Sequence, residues 1–190
     1  RDAADADQNY HLLLTNHEVD VMFRRMIDGW FKKYTPSYNA FVQALLADDL
    51  RAMNHYINKI SIETNSFFDT GRGTSSGTEP ERFYHGFVLG LMVDLQKQYH
   101  ITSNRESGFG RYDIMLEPLN PVGNDAIIME FKVIDPDTEK SLNVTVENAL
   151  HQIQDRKYDT SLLAKGFQCD QIRSSGFAFQ GKRVLIGKAD

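Results

Sequence analysis

The sequence predicts an α/β fold with a mixed sheet, preceded by a helical lobe. Three observations carry this. From Thr15 to Ile60, apolar residues recur at helical spacing. From His100 to Ile134, three short apolar runs are separated by Gly, Pro and Asn. A helix-period segment then follows, and strand-like residues close the chain, so helix and strand alternate around one sheet.

In order, "RDAADADQNY" has no apolar period and reads as a lead-in. "TNHEVDVMFRRMIDGWFKKY" opens on Thr15 with Glu18 three residues on, a capping-box pattern. Val19, Met22, Phe23, Met26, Ile27, Trp30 and Phe31 follow on one helical face. A second helix starts at Pro36, a favoured first position, and presents Tyr38, Phe41, Val42, Leu45 and Leu46. A third, after Asp48 and Asp49, presents Leu50, Met53, Tyr56, Ile57 and Ile60. These stripes read as core, and the lobe (1–70) shows no convergent polar set. "DTGRGTSSGTEPE" is Gly- and Ser-rich and reads as a flexible connection, with a linker at 71–80. Its glycines lack the Lys-Ser/Thr ending and the preceding strand of a phosphate loop.

The second domain spans 81–190. A helix follows Pro80, "ERFYHGFVLGLMVDLQKQY", apolar nearly all round in its middle and therefore buried on most sides. Gly86 and Gly90 would let a sheet approach it closely. "HITSNRESGFGRYDIMLEP" reads as two strands with a turn near "SGFG", and "DAIIMEFKVI" as a third. "NVTVENALHQIQDRKYDTSLLAKG" is helical from about Val146, with Gly166 as its stop. "IRSSGFAFQGKRVLIGK" supplies one or two more strands.

Composition narrows the function classes. The 190 residues are 41% hydrophobic and 25% charged, enough for one core or two small lobes. A single cysteine, Cys169, excludes an internal disulfide and a cysteine-based zinc site, and fits a thiol in a reducing compartment. The longest apolar run, "FVLGLMV", is too short to span a membrane, and no secretory leader is read; the expected location is cytoplasmic. The first residue is Arg1, which suggests a piece of a longer protein. The net charge of -5 argues against broad non-specific nucleic-acid binding, yet a site that gathers carboxylates for a metal is acidic by necessity.

The chemistry concentrates in "GRYDIMLEPLNPVGNDAIIMEFKVID", where Asp113, Glu130 and Lys132 sit inside strands. Burying such charges is costly unless they are paired or ligated. Alternate residues of a strand share a face, so Glu130 and Lys132 lie with Ala126 and Ile128, while Ile127, Met129, Phe131 and Val133 face a core. If Leu116 stands opposite Ile127, Asp113 stands opposite Glu130. Two facing carboxylates repel unless a proton or a cation lies between them. Mg²⁺ suits such a pair, with water and phosphate completing its shell. Lys132 could then position or deprotonate a water, or neutralise charge on a phosphate. The alternative is an exposed, merely structural charge cluster. Similarly, Glu81 is an ordinary first-turn acid as well as a candidate.

Glu81 in a first helix, Asp113 in a strand, Glu130-Phe131-Lys132 in the next and a glutamine on the following helix resemble the PD-(D/E)XK nuclease superfamily. "FYHGFVLGL", "SNRESGFGRYDIML", "IIMEFKV", "ALHQIQDRKY" and "GFAFQGKRV" resemble more closely the C-terminal domain of a bacterial family of predicted AAA-ATPase-like proteins, and "LTNHEVDVMFRRMIDGWF" resembles that family's preceding helical segment. The resemblance implies a restriction-endonuclease-like core that hydrolyses phosphodiester bonds in DNA with Mg²⁺ or Mn²⁺, attached in the longer chain to an ATPase-like domain. It implies Asp113, Glu130 and the Phe131 carbonyl as metal ligands and Lys132 as the water-activating or charge-stabilising group. Glu81 would support the metal or its waters, and Gln152 would orient Lys132 or substrate with Tyr158 beside it. Gln154 is the alternative to Gln152. His85 falls near the start of the first helix on the substrate side. Arg105 and Arg111 flank the site as phosphate contacts. The residue before Asp113 is Tyr112, where the superfamily's name has proline. The rival function is a catalytically silent nucleic-acid-binding or docking module attached to an ATPase.

Overall fold

The computed structural model describes residues 35–64 and 78–189, with side chains described at 39–63 and 84–189. The first expected helix, with Trp30, and most of the linker lie outside the described residues. The residues from Pro36 onward form one compact unit.

Helices α1 (Thr35–Leu46) and α2 (Leu50–Thr64) fall where the apolar spacing places them, and α3 (Thr78–Leu91) begins within the expected linker. Strands β1 (Tyr99–Ser107), β2 (Gly110–Pro118) and β3 (Ala126–Val133) follow, then α4 (Leu142–Asp155), the short α5 (Thr160–Leu163), β4 (Ile172–Gln180) and β5 (Arg183–Lys188). The sheet order is β1-β2-β3-β4-β5. All neighbours are antiparallel except β3 and β4, which run parallel with α4 as the crossover. The expected mixed sheet is therefore present.

Two helix boundaries and one glycine contact differ from the sequence reading, each for a local reason. The helix after Pro80 ends at Leu91 instead of reaching Tyr99. Beyond it a 3₁₀ turn, Val93–Lys97, is closed by Leu95 N–H to Met92 O and Gln98 N–H to Leu95 O, and Tyr99 opens β1. Helix α4 starts at Leu142, earlier than expected, because extended Ser141 precedes it and Thr145 is anchored by Glu139. Gly86 marks no close neighbour, since a Cβ there would meet nothing within 4 Å. The close approach falls instead at Gly176 and Gly187, which face each other across β4 and β5. Added Cβ atoms would lie 2.9 Å from Val146 O and 2.5 Å from Val146 Cγ1, so this glycine pair seats α4 on the sheet.

The sheet is covered on both faces. Tyr84 of α3 stacks on Phe179, and Phe131, Phe177 and Phe179 contact one another edge to face or stacked. On the other face Met115, Ala126, Ile128, Ile153, Tyr158, Leu162 and Phe167 form a second core under α4 and α5. The Glu130 face of β3 is thus buried at Ala126 and Ile128, and β3 reads as an apolar run because both its sides are covered.

The helices of the expected lobe do have a convergent polar pair, contrary to the sequence reading. Asn54 and Asn58, one turn apart on α2, each grip the backbone of edge strand β5. Asn54 Oδ1 accepts Ile186 N–H at 2.8 Å and its Nδ2 donates to Ile186 O at 2.9 Å. Asn58 does the same with Val184, at 2.9 and 2.7 Å. The two amides imitate a neighbouring strand and close an edge that would otherwise be open to pairing. Arg173 of β4 donates to Leu45 O at the end of α1 and pairs with Asp48 and Asp125.

Candidate active site

The β2–β3 ladder runs from Leu116↔Ile127 to Ile114↔Met129, the expected register. One step further would set Asp113 opposite Glu130, and there the regular pairing ends. On the other side, β1 and β2 pair at Ser103↔Ile114 and Arg105↔Tyr112, with Asn104 and Asp113 between them outside the ladder. Asn104 carries φ 52, a left-handed conformation that asparagine tolerates better than most residues. Asp113 thus sits at a gap in both ladders.

Other groups take over its bonding. Asp113 Oδ2 accepts the Phe131 backbone N–H at 2.7 Å, so the carboxylate bridges to β3 where the backbone does not. The Asp113 carbonyl lies 3.2 Å from His85 Nε2, which also meets Ser103 Oγ at 3.0 Å. The His85 ring is tilted against Phe131, which places this histidine between α3 and the Asp113 backbone.

Glu130, Lys132, Gln152 and Tyr158 form one network. Lys132 Nζ donates to Gln152 Oε1 at 2.7 Å. Gln152 Nε2 donates to Glu130 Oε1 and to the Tyr158 hydroxyl, the latter at 3.1 Å. One amide orientation satisfies all partners, with its carbonyl on the ammonium and its NH₂ on the carboxylate. Glu130 is 4% exposed and Tyr158 1% exposed, with Lys132 and Gln152 half-buried, so these bonds are partly shielded from water and hold the groups in position. Burial pushes the Tyr158 hydroxyl above the usual tyrosine range, opposed by the Gln152 bond and reinforced by the negative charges of Glu130 and Asp113. Both carboxylates therefore act on the same buried hydroxyl.

The other expected residues fall as follows. Gln154 is exposed and makes no side-chain hydrogen bond among the described residues; of the two glutamines, Gln152 faces the carboxylates. Buried Tyr158 contacts Gln152 inside the protein. Arg105 and Arg111 are exposed on the β1–β2 hairpin. Glu81 lies in the first turn of α3, and its side chain is outside the described residues. The sequence reading did not single out Ser103, Asn104 or Glu139. Glu139 accepts from Asp135 N–H, Thr145 and Asn148. Burial raises its pKa, but those three bonds and the charge of Lys132 outweigh this and hold it below the usual glutamate value. The only advance signal was an acidic residue just before a helix.

The donor set fits a hard divalent cation. Asp113 and Glu130 offer carboxylate oxygens on neighbouring strands, with no thiolate and no imidazole among the proposed ligands, and Mg²⁺ or Mn²⁺ takes such oxygen donors together with water and phosphate. Among the described residues no group of three or more His, Cys, Asp or Glu gathers to hold a metal alone. A cavity of about 590 Å³ lined by Asn54, Asn58, Lys140, Ser141 and Arg183 contains none of the site residues.

This is an α/β sheet with two carboxylates and a lysine where two neighbouring strands part, backed by a glutamine from the crossover helix. Residues 79–189, more than half of the chain, match the PD-(D/E)XK nuclease superfamily, and the chain belongs to it. Nucleases of this superfamily generally use divalent metal ions. Comparison with curated proteins and with solved structures gives no match. No helix among the described residues is long and apolar enough to cross a membrane.

Proposed function

We propose that this chain is a nuclease that hydrolyses phosphodiester bonds in DNA with Mg²⁺ or Mn²⁺. The observation that carries the reading is the network in which Gln152 joins Lys132 to Glu130 beside Asp113. A surface charge cluster has no need of a half-buried glutamine that orients both its acid and its base.

Asp113, Glu130 and the Phe131 carbonyl would hold the metal, and Glu81 would support it or its waters. The bound ion would stabilise charge on the phosphate and lower the pKa of a water. Gln152 Oε1 fixes the Lys132 ammonium, whose remaining protons would serve the attacking water or a phosphate oxygen and lower the energy of the charge that develops there. The water oxygen bonds to phosphorus as the P–O ester bond breaks, leaving a phosphate monoester and a hydroxyl. Tyr158, protonated at neutral pH, keeps Gln152 in place. His85 holds the Asp113 backbone, and Arg105 and Arg111 are available to phosphates. The long motif resemblance supports the further reading that the chain is the C-terminal part of an AAA-ATPase-like protein acting in the cytoplasm.

The test compares metal binding with cleavage. Labelled DNA should be cut with Mg²⁺ or Mn²⁺ and stay intact in a chelator. Asp113→Ala should lose both calorimetric metal binding and cleavage. Lys132→Ala should keep the metal and lose turnover. A chain that binds nucleic acid or an ATPase partner but neither binds metal nor cuts any substrate is a docking module instead.

A further inference from the structure

The β1–β2 hairpin ends in a turn that is hydrogen-bonded to the end of α4 and yet presents an aromatic ring to solvent. Phe109 is 69% exposed. Its backbone is held on both sides, with Phe109 N–H donating to Arg156 O at 2.7 Å and Arg156 Nη1 donating to Phe109 O at 3.3 Å. One residue earlier, Gly108 has φ 60, and a Cβ there would lie 2.2 Å from the carbonyl oxygens of Arg156 and Lys157, so only glycine fits. Ser107 Oγ donates to Tyr158 O at 2.7 Å and accepts Ser161 N–H at 3.2 Å. Lone exposed apolar residues are common and need no explanation. A turn clamped to the end of α4 while its one large apolar side chain points outward is a different matter.

The surroundings specify a ligand. Arg105, Arg111, Arg156 and Lys157 are all exposed around this turn, and Lys157 Nζ stands 5.8 Å from the Phe109 ring centroid. None of the four cations is in an ion pair among the described residues, although Glu106 stands opposite Arg111 in the hairpin. Arg105 shares its strand face with Ser107, which bonds Tyr158 O on the α4 side, whereas Arg111 shares the other face with Glu106. With Asp155 and Asp159 beside the α4 cations, the turn carries a small positive excess on a chain of net charge -5. Exposed aromatic faces among Arg and Lys bind unpaired bases by stacking while the cations track the phosphates. Phe109 is four residues from Asp113 along the hairpin, about 13 Å at strand rise. That is about four nucleotides at the per-strand spacing of DNA. Tyr158 ties the two places together, since its carbonyl holds the turn and its hydroxyl contacts Gln152.

We propose that Phe109, with Arg105, Arg156 and Lys157, forms a platform that stacks an unpaired DNA base at a fixed distance from the carboxylates. This deepens the nuclease reading and rests on it for the class of ligand. It makes single-stranded DNA, or a duplex with an unpaired segment, the preferred substrate over a fully paired duplex.

The test uses the whole chain in chelator, with a fluorescein-labelled 20-nucleotide single strand and the matching duplex, read by anisotropy. Wild type should bind the single strand more tightly than the duplex. Phe109→Ala should weaken single-strand binding by about 5- to 150-fold, the range one stacked base supplies, and leave duplex binding within about twofold. Phe109→Trp should restore single-strand binding, which loss of folding could not mimic. Unchanged single-strand affinity in Phe109→Ala, or equal weakening on both probes, overturns the stacking platform and leaves the nuclease reading standing. A wild type that binds neither probe overturns the platform together with the choice of DNA as substrate. Metal-dependent cleavage is scored separately, so failure of catalysis is distinguishable from failure of stacking.

Discussion

Gln152 gives the sharpest test of the site, because its neighbour Gln154 is a built-in control. Gln152→Ala removes three hydrogen bonds at once, to Lys132, Glu130 and Tyr158. Two have charged partners and contribute about 1.5–3 kcal/mol each, and the neutral one contributes about 0.5–1.5 kcal/mol. Their sum is an upper bound, because bonds in one network are not additive and water can enter the space left behind. Lys132 is only half-buried and regains hydration, whereas Glu130, 4% exposed, keeps a charge with less compensation. The expected net loss is about 2–4 kcal/mol by urea unfolding. Metal affinity or cleavage should fall about 10–100-fold, as for other groups that orient ligands. Gln154→Ala, on an exposed position, should change stability by no more than about 0.5 kcal/mol and leave cleavage intact. Equal losses at the two positions, or a loss at Gln154 alone, would refute the network as the organiser of the site.

Three further outcomes are expected. Asn54→Ala and Asn58→Ala should each destabilise by about 1–3 kcal/mol in urea, since each strips both bonds from one residue of β5. The double variant should also aggregate faster by light scattering, because the bared strand edge can pair with another chain. Gly108→Ala places a methyl against two backbone carbonyls at an unfavourable φ and should lower the melting temperature, where Gly123→Ala, with open space around it, should be milder. The lowered pKa of Glu139 favours its charged form in the folded state, so its contribution is present above the ordinary value and is lost as pH falls through the lowered one. Wild type should therefore exceed Glu139→Gln in stability at neutral pH, with the gap closing below about pH 4.5 in acid titrations followed by circular dichroism.

Much of this was legible from periodicity. The apolar spacing located α1 and α2, and the run Ala126–Val133 with its charged end located β3. Even the register was accessible, because Leu116↔Ile127 brings the two acids together. What one sequence could not show are the features that depend on chain segments distant from each other. Asn54 and Asn58 look like interruptions of an apolar stripe until β5 lies beside them, more than a hundred residues on. Gly176 and Gly187 mean little singly, and together they form the seat for α4. The choice between Gln152 and Gln154 turns on helix phase, as the two differ by about 200° at 3.6 residues per turn. The start of α4 at Leu142 was hidden because Asn143, Val144 and Thr145 are weak helix formers, and tertiary anchoring by Glu139 compensates.

The gap at Asp113 explains why charges stand inside these strands. In a regular antiparallel pair every second residue exchanges its backbone N–H and C=O with the partner strand, and an acid in its middle would be confined to a packed face. Where the ladders to β1 and β3 lapse, the Phe131 N–H needs an acceptor and finds the Asp113 carboxylate. The same lapse frees the Asp113 carbonyl to meet His85. The break in pairing is thus matched by bonds that only an acid at this position and a helix at this height can make. On β3 the parallel pairing to β4 continues past the break, from Glu130↔Gly176 to Val133↔Phe179, so Glu130 and Lys132 stay on a rigid strand while Asp113 approaches from the parted one. Gly176 opposite Glu130 removes a side chain at the level where α4 comes closest, which brings Gln152 down to bridge acid and base. The same helix, at its far end, clamps the Phe109 turn, so one element sets both the geometry of the reacting groups and the position of the hairpin tip.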